Sequence, residues 1–320
     1  MNDLPLVSII TPSFNQAAFL EQTILSVLYQ GYPNLEYWVM DGGSTDGSLR
    51  ILNKYSQRLT GWVSERDAGQ ADGINKGLRQ AHGEIVAWLN SDDLYRPGAI
   101  LSAVQALERF PKAPFVYSDV DSIDENGRTF HRMRYGQWGL KGLMTFRIIG
   151  QPAVFIRRSA LEEVGLLNPE FNYLLDHELW LRLAALAEPR HIPHTVWAAA
   201  RMHAGAKNVA QAEGFGREAY ELARWIGTDA RFYPASARLS KKIWAGAHRL
   251  DAFYLMEAGK PKDSLAMYRL SLRYHPLPTL RDWRRVSYAA LSTLGLGSLR
   301  KPLDWLRRMR HSLGARRKKA

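Results

Sequence analysis

No cysteine occurs in the 320 residues. That excludes disulfides, thiolate metal sites and a cysteine nucleophile, and it leaves the compartment open. No uninterrupted apolar run reaches the ~18 residues that a membrane-spanning helix needs. The opening Met1-Asn-Asp-Leu-Pro lacks the basic and apolar pattern of a secretory leader. Acidic residues are scarce in one region only. Residues 205–320 hold 9 Asp and Glu against 24 Lys and Arg, a net charge of +15, whereas residues 1–204 carry −3. The asymmetry suggests a near-neutral body and a basic C-terminal third that meets an anionic partner. Hydrophobic residues make up 46% of the chain, enough for a sizeable core, which excludes a disordered chain.

What is present is organised around Gly83-Glu-Ile-Val-Ala-Trp-Leu-Asn-Ser-Asp-Asp93. Residues 85–89 form a short apolar run, the pattern of a strand buried on both faces. It ends abruptly in Asn90, Ser91, Asp92 and Asp93. Two adjacent carboxylates repel unless a cation joins them, and hard oxygen ligands suit Mg²⁺ or Mn²⁺. Read alone, the same residues also suit an Asx-type turn that caps a helix starting near Pro97.

Three similar units precede that stretch. Strands are predicted at 7–11, 35–40 and 62–64, with helices at 17–29, 47–55 and 71–80. The alternation predicts a parallel sheet built from right-handed crossovers. Thr11, Asp41, Glu65 with Asp67, and Asp92 with Asp93 each follow a strand, so all fall on one edge of that sheet. Ligands of open α/β sheets bind beyond the carboxyl ends of the strands. Four such loops on one edge fit a nucleotide-diphosphate and metal pocket better than a set of caps. Asp41 stands where an acidic side chain can bind ribose hydroxyls or a base N–H. Further on, a strand is expected at 115–118, a hairpin turn at Asp124-Glu-Asn-Gly127, a helix at 137–146 and a strand at 152–156. Ser159-Ala-Leu-Glu162 reads as a capping box. A helix follows at 174–187, then an extended run from 191 to 199.

Together these residues resemble a family 2 glycosyltransferase with the GT-A fold. The matching pieces are Val7-Ser-Ile-Ile-Thr-Pro-Ser-Phe-Asn15, Met40-Asp-Gly-Gly-Ser-Thr-Asp-Gly47, Gly69-Gln-Ala-Asp-Gly-Ile-Asn-Lys-Gly77 and the opening stretch. They continue with Gln151-Pro-Ala-Val-Phe-Ile-Arg-Arg158 and Leu175-Asp-His-Glu-Leu-Trp-Leu-Arg182. The resemblance covers about residues 5–205 and is nearest to non-processive enzymes of bacterial surface polysaccharide synthesis. It implies an α/β fold with a GT-A (Rossmann-like), mostly parallel sheet flanked by helices, spanning residues 1–205. Residues 206–320 would form a basic helical extension. It also implies roles. Thr11, Pro12, Asn15, Asp41, Asp67 and Asp92 would bind the donor, and Asp176 would be the catalytic base. Asp93, with His203, would hold Mg²⁺ or Mn²⁺, because Asn90 replaces the first acid of the family's Asp-x-Asp. Gln151, Glu178 and Arg182 would meet the acceptor. Leu175 replaces the Glu that the family usually carries before its base. The processive members' Gln-x-x-Arg-Trp is missing, and Glu221-Leu-Ala-Arg-Trp225 is its nearest approach, so transfer of one sugar is expected.

The chemistry needs such residues. Negative charge builds on the leaving phosphate oxygen, where a divalent ion stabilises it. The acceptor hydroxyl must lose a proton, which calls for one carboxylate base. The positive end of a helix favours the charged form of Asp176. Two rival readings stay open: a sugar-nucleotide nucleotidyltransferase, and a docking protein whose catalytic body is weak because of Asn90. The first would want a Gly-rich basic loop after the first strand, and Thr11-Pro-Ser-Phe-Asn15 has none.

The C-terminal third reads as helices. Residues 250–276 suggest one helical hairpin of the tetratricopeptide type. Trp305, Leu306, Met309 and Leu313 can share a helix face, followed by Arg316-Arg-Lys-Lys319. Such a tail suits an anionic membrane surface and lacks any nucleic-acid reader motif. The expected location is cytoplasmic, peripheral on the inner face of the cell membrane. The expected partners are a nucleotide-sugar donor, UDP-linked by preference, and a lipid-linked or saccharide acceptor.

Overall fold

The structure is a computed structural model that describes residues 4–203, 205 and 212–295. Four parallel strands open the chain: β1 (Val7–Ser13), β2 (Leu35–Asp41), β3 (Gly61–Ser64) and β4 (Ile85–Trp88), in the order β3-β2-β1-β4. Helices α1 (Ala17–Leu28), α2 (Ser48–Tyr55) and α3 (Gln70–Gln80) cross between them, as the alternation predicts. After β4 come the short β5 (Leu94–Tyr95), α4 (Ala99–Arg109), β6 (Phe115–Ile123) and β7 (Thr129–Met133). They are followed by α5 (Leu140–Met144), β8 (Val154–Arg157), α6 (Arg158–Val164), α7 (Leu175–Leu186) and β9 (Arg190–Arg201). Strand β8 enters the sheet antiparallel to both β4 and β6, whereas β9 runs parallel to β6. The sheet is therefore mixed beyond β4.

Strands β1 and β4 send side chains into cores on both faces. Val7 and Ile9 pack with Leu20 and Ile24 of α1, Leu52 of α2 and Val104 of α4. Ile10, Met40, Val86 and Trp88 face the other way, onto Ile74 of α3 and Leu179 and Trp180 of α7. Burial on both faces is why these strands read as continuous apolar runs. Trp88 and Trp180 stack with ring centroids 5.3 Å apart. Truncating either would cost ~3–5 kcal/mol.

Two local expectations are corrected. The helix expected over 137–146 is confined to α5. The Tyr117 hydroxyl donates to Gly136 O and accepts from the Trp138 amide, both at 2.7 Å, and so holds the preceding segment outside the helix. The capping box at Ser159 does not form. Helix α6 starts one residue earlier, without a side-chain cap, and the Arg158 amide donates to Glu84 O instead.

The chain continues as α8 (Ala212–Thr228), α9 (Ala235–Glu257), α10 (Pro261–Tyr274), α11 (Pro276–Arg281) and α12 (Trp283–Thr293). Helices α9 and α10 are joined by a tight turn at Gly259, φ +73°. Phe215, Leu222, Ile243 and Ala247 join the same core as Trp88 and Trp180. The hydrophobic core is thus continuous across residue 205. No described helix is long and apolar enough to cross a membrane. The expected amphipathic tail with Trp305, Leu306, Met309 and Leu313 lies outside the described residues.

Candidate active site

In-register pairing sets Ser13, Asp41 and Ser64 side by side at the carboxyl ends of β1, β2 and β3. Asp41 is buried, and its carboxylate folds the next loop back on itself. Oδ2 accepts from the Gly43 and Ser44 amides and from Ser64 Oγ, and Oδ1 accepts from Ser44 Oγ. Asn15, at φ +52°, stitches this loop to the end of β1. Its amide donates to Ser44 Oγ, and its Oδ1 accepts from the Thr45 amide. A Cβ at Gly42 would stand 2.7 Å from Asp67 Oδ2, so any larger residue there would displace that carboxylate. Asp41, Val63, Glu65, Asp67 and Lys76 line a narrow cleft at this rim, and Pro12 packs beside Gly73 in its wall. Thr11 is corrected. Its side chain is fully buried and its hydroxyl bonds the Tyr37 hydroxyl at 3.0 Å, so it faces the core, not a ligand.

The turn after β4 is clamped from several sides. Thr23 Oγ1 donates to Ser91 O and Asp93 O, and Gln70 Nε2 donates to Asn90 Oδ1. Asp93 is buried. Its Oδ1 accepts from the Arg201 amide at 2.9 Å, and its Oδ2 faces Asn90 Nδ2 at 3.4 Å. Burial first, and then the neighbouring charge of Asp92, push its carboxyl well above the usual carboxylate range. Asp93, the expected direct metal ligand, thus has both oxygens turned toward protein donors in this structure. Asp92 is the outward member, with Oδ2 3.0 Å from His203 Nε2. Among the described residues no group of three or more His, Asp or Glu gathers here. One carboxylate and one imidazole nitrogen still fit Mg²⁺ or Mn²⁺, which usually complete their shells with substrate phosphates and water.

Arg201 carries no motif signal, yet it organises this turn. Its guanidinium donates to the carbonyls of Asp92, Asp124 and Glu125 and to Gln22 Oε1, and lies 4.7 Å from the Phe19 ring centre. Its place at the end of an extended run was the sole hint in the sequence.

Asp176 stands in the first turn of α7, its Oδ1 accepting from the His177 amide at 2.7 Å. His177 is buried beneath it, with Nε2 3.0 Å from Leu143 O, and burial pushes its pKa down to about 4. The imidazole is therefore neutral, and Nε2 carries the proton it donates to the carbonyl. Gln151 is tied to the end of β4 by Nε2 donating to Trp88 O at 2.7 Å. Its Oε1 is buried without a partner among the described residues.

Glu178 and Arg182 are corrected as acceptor contacts. Both are buried, one helical turn apart, and bond each other twice, at 2.8 and 2.7 Å. Arg182 also donates to the carbonyls of Val164, Gly165 and Leu166. Its five N–H groups are thereby used, holding that loop against α7. The structure brings Pro12, Asn15, Asp41 and Asp67 to one rim and Asp92, Asp93 and His203 to the next. It leaves Thr11, Glu178 and Arg182 in the interior.

A mixed sheet of this order, with an Asp-bearing turn after its fourth strand, defines the GT-A class of fold. Solved structures that share it include two glycosyltransferase-fold neighbours. The mannosyltransferase PcManGT from Pyrobaculum calidifontis, in complex with GDP-Man and Mn²⁺, superposes with a TM-score of 0.63 at 19% identity, covering 98% of this chain and 86% of that one. S. aureus TarS 1-349 in complex with UDP gives 0.61 at 16% identity, covering 93% and 92%. Residues 8–165 match Glycosyl transferase family 2. The putative teichuronic acid biosynthesis glycosyltransferase TuaG of Bacillus subtilis is 30% identical over 185 residues, 56% of this chain and 72% of that protein. The chain belongs to glycosyltransferase family 2. A glycosyltransferase of Rickettsia typhi is 28% identical over 207 residues, 62% of this chain; the match spans 64% of that relative's length.

Proposed function

We propose that the chain transfers one sugar from a nucleotide-sugar donor to an acceptor hydroxyl, with inversion at the anomeric carbon. The observation that carries this is the pairing of outward Asp92 with His203 at the end of β4, in a chain of family 2. The nucleoside occupies the cleft beside Asp41 and Asp67, with Pro12 in its wall. Asp92 and His203 would hold Mg²⁺ or Mn²⁺, which would supply positive charge to offset that of the diphosphate. Asp176 takes the proton of the acceptor hydroxyl. That oxygen bonds to the anomeric carbon as the bond to the phosphate oxygen breaks, and the electron pair leaves with the nucleoside diphosphate. Gln151 lies toward the acceptor. UDP-sugars are favoured, and the acceptor is a saccharide or lipid-linked sugar of surface polysaccharide synthesis, a reading supported by the likeness to TuaG and TarS.

The test incubates the full chain with UDP-glucose, UDP-galactose, UDP-GlcNAc and GDP-mannose plus Mn²⁺ and measures nucleotide release. Slow hydrolysis of at least one donor is expected. Asp176→Asn should retain UDP binding while cutting turnover by ~10²–10⁴. No release from any donor, together with no binding of UDP or GDP, would refute the reading.

The chain works on the inner face of a membrane, and its basic C-terminal third contacts anionic lipid. Residues 212–295 carry a net +6 and residues 296–320 a net +8. Leu277 and Leu280 of α11, Trp283 of α12 and Leu294 just after it are exposed, with the Arg284 guanidinium 5.5 Å from the Trp283 ring centre. Exposed leucines and a tryptophan beside arginines suit shallow insertion at a lipid headgroup layer.

A further inference from the structure

Helix α7, which carries Asp176, starts without a cap of its own. Its N-cap residue is Leu174, whose side chain has no oxygen with which to accept a first-turn amide. The chain leading into it is held from elsewhere. Glu218 of α8, far along the sequence, is buried. Its Oε1 accepts from the Asn172 amide at 2.7 Å, and its Oε2 accepts from the Tyr173 and Leu174 amides at 2.8 and 2.7 Å. A carboxylate taking three amide hydrogens makes short, charge-assisted bonds of the strong kind.

The face of α8 is built for this contact. Gly214, Phe215 and Glu218 lie one turn apart on the same side. A Cβ at Gly214 would stand 2.2 Å from the Tyr173 ring, so only glycine lets the helix approach. Phe215 lies 5.2 Å from the Tyr173 ring and stacks at 3.9 Å on Tyr254 of α9. Sequence proximity plays no part. The helical region reaches back to the three residues that precede Leu175 and Asp176.

We propose that Glu218 is a positioning residue for Asp176. It fixes the segment 172–174, and with it the direction in which the carboxylate of Asp176 leaves α7. The C-terminal helices thereby take part in the reaction. This rests on the reading of Asp176 as the base. A carboxylate displaced by about 1 Å from its working position can lose a hundredfold in rate while the donor site is untouched.

The experiment uses the full chain and the variants Glu218→Gln, Glu218→Ala and Asp176→Asn. UDP affinity is measured by calorimetry. Turnover of whichever of the four sugar nucleotides above is hydrolysed is split into kcat and KM. Exchange of the amides of 172–174 is followed by hydrogen–deuterium exchange. Glutamine keeps one acceptor oxygen but turns an NH₂ toward the remaining amides, so Glu218→Gln should fold, bind UDP within about twofold of the parent and keep KM. Its kcat should fall by about tenfold or more, with faster exchange at 172–174. Glu218→Ala should fall further in kcat. Unchanged kcat in Glu218→Gln despite faster exchange would overturn the proposal. So would a loss spread equally over UDP affinity and kcat, which is what general loosening of the fold would give. Unchanged turnover in Asp176→Asn overturns the base reading instead, a result distinct from unchanged turnover in Glu218→Gln alone.

Discussion

Acidification should destabilise this fold through one identifiable side chain, His177. It is buried under the first turn of α7, with its ring stacked 5.6 Å from Phe146 and Nε2 bonded to Leu143 O. Burial depresses its pKa to about 4, from an ordinary 6.5. In the unfolded chain the imidazole protonates near 6.5, so between those values the unfolded state binds more protons than the native one. Stability is full above about pH 6.5 and falls as the pH drops toward about 4. The whole gap corresponds to ~3 kcal/mol, about 2 kcal/mol of it lost by pH 5. The assay is urea unfolding of the parent and of His177→Phe at pH 7.5 and pH 5. The variant fills similar space but removes the imidazole donor from the Leu143 carbonyl, which keeps only the Phe146 amide, so it should be less stable at pH 7.5, by ~1 kcal/mol. It should then lose about 2 kcal/mol less than the parent on acidification, other titrating groups cancelling in the comparison. Parallel losses in the two proteins would refute the assignment of a neutral, buried imidazole.

Asp92→Ala and His203→Ala should each abolish binding of Mn²⁺ in the presence of UDP, followed by electron paramagnetic resonance. Asp93→Asn, which keeps an acceptor for the Arg201 amide, should leave it within about threefold; the reverse pattern would return the ligand role to Asp93. Arg182→Met should lower unfolding free energy by ~3–5 kcal/mol, because it strands a buried Glu178 carboxylate. A loss of acceptor affinity at unchanged stability would instead place the pair in the site. The protein should sediment with liposomes rich in phosphatidylglycerol and be released at ~0.5 M salt. Replacing Leu280 and Trp283 by serine should weaken that binding, as should deleting residues 300–320. Equal binding to neutral and anionic liposomes would count against a membrane role for the basic third.

The first half of the fold is legible in the residues themselves. Strands β1 to β4 are short apolar runs between amphipathic helices, and each pattern is set by local periodicity and by burial on both faces. The carboxyl-end loops follow directly, since parallel strands can only present those ends together. Asp41, Asp67, Asp92 and Asp176 could therefore be singled out from spacing and from family likeness.

Which oxygen faces outward is another matter. Asp92 and Asp93 are neighbours of the same residue type, and only the arrival of Arg201 from β9 decides that Asp93 is tied inward while Asp92 meets His203. Glu178 and Arg182 sit in a family motif, yet the loop at Val164, Gly165 and Leu166 consumes the arginine and removes the pair from any ligand. The extension after residue 205 reads as basic and helical, but no local pattern announces that Glu218 will hold the segment ahead of Asp176. Sequence periodicity reports which way a residue faces relative to its own element. The partners that claim its polar atoms come from elements tens of residues away, and tertiary packing alone chooses them.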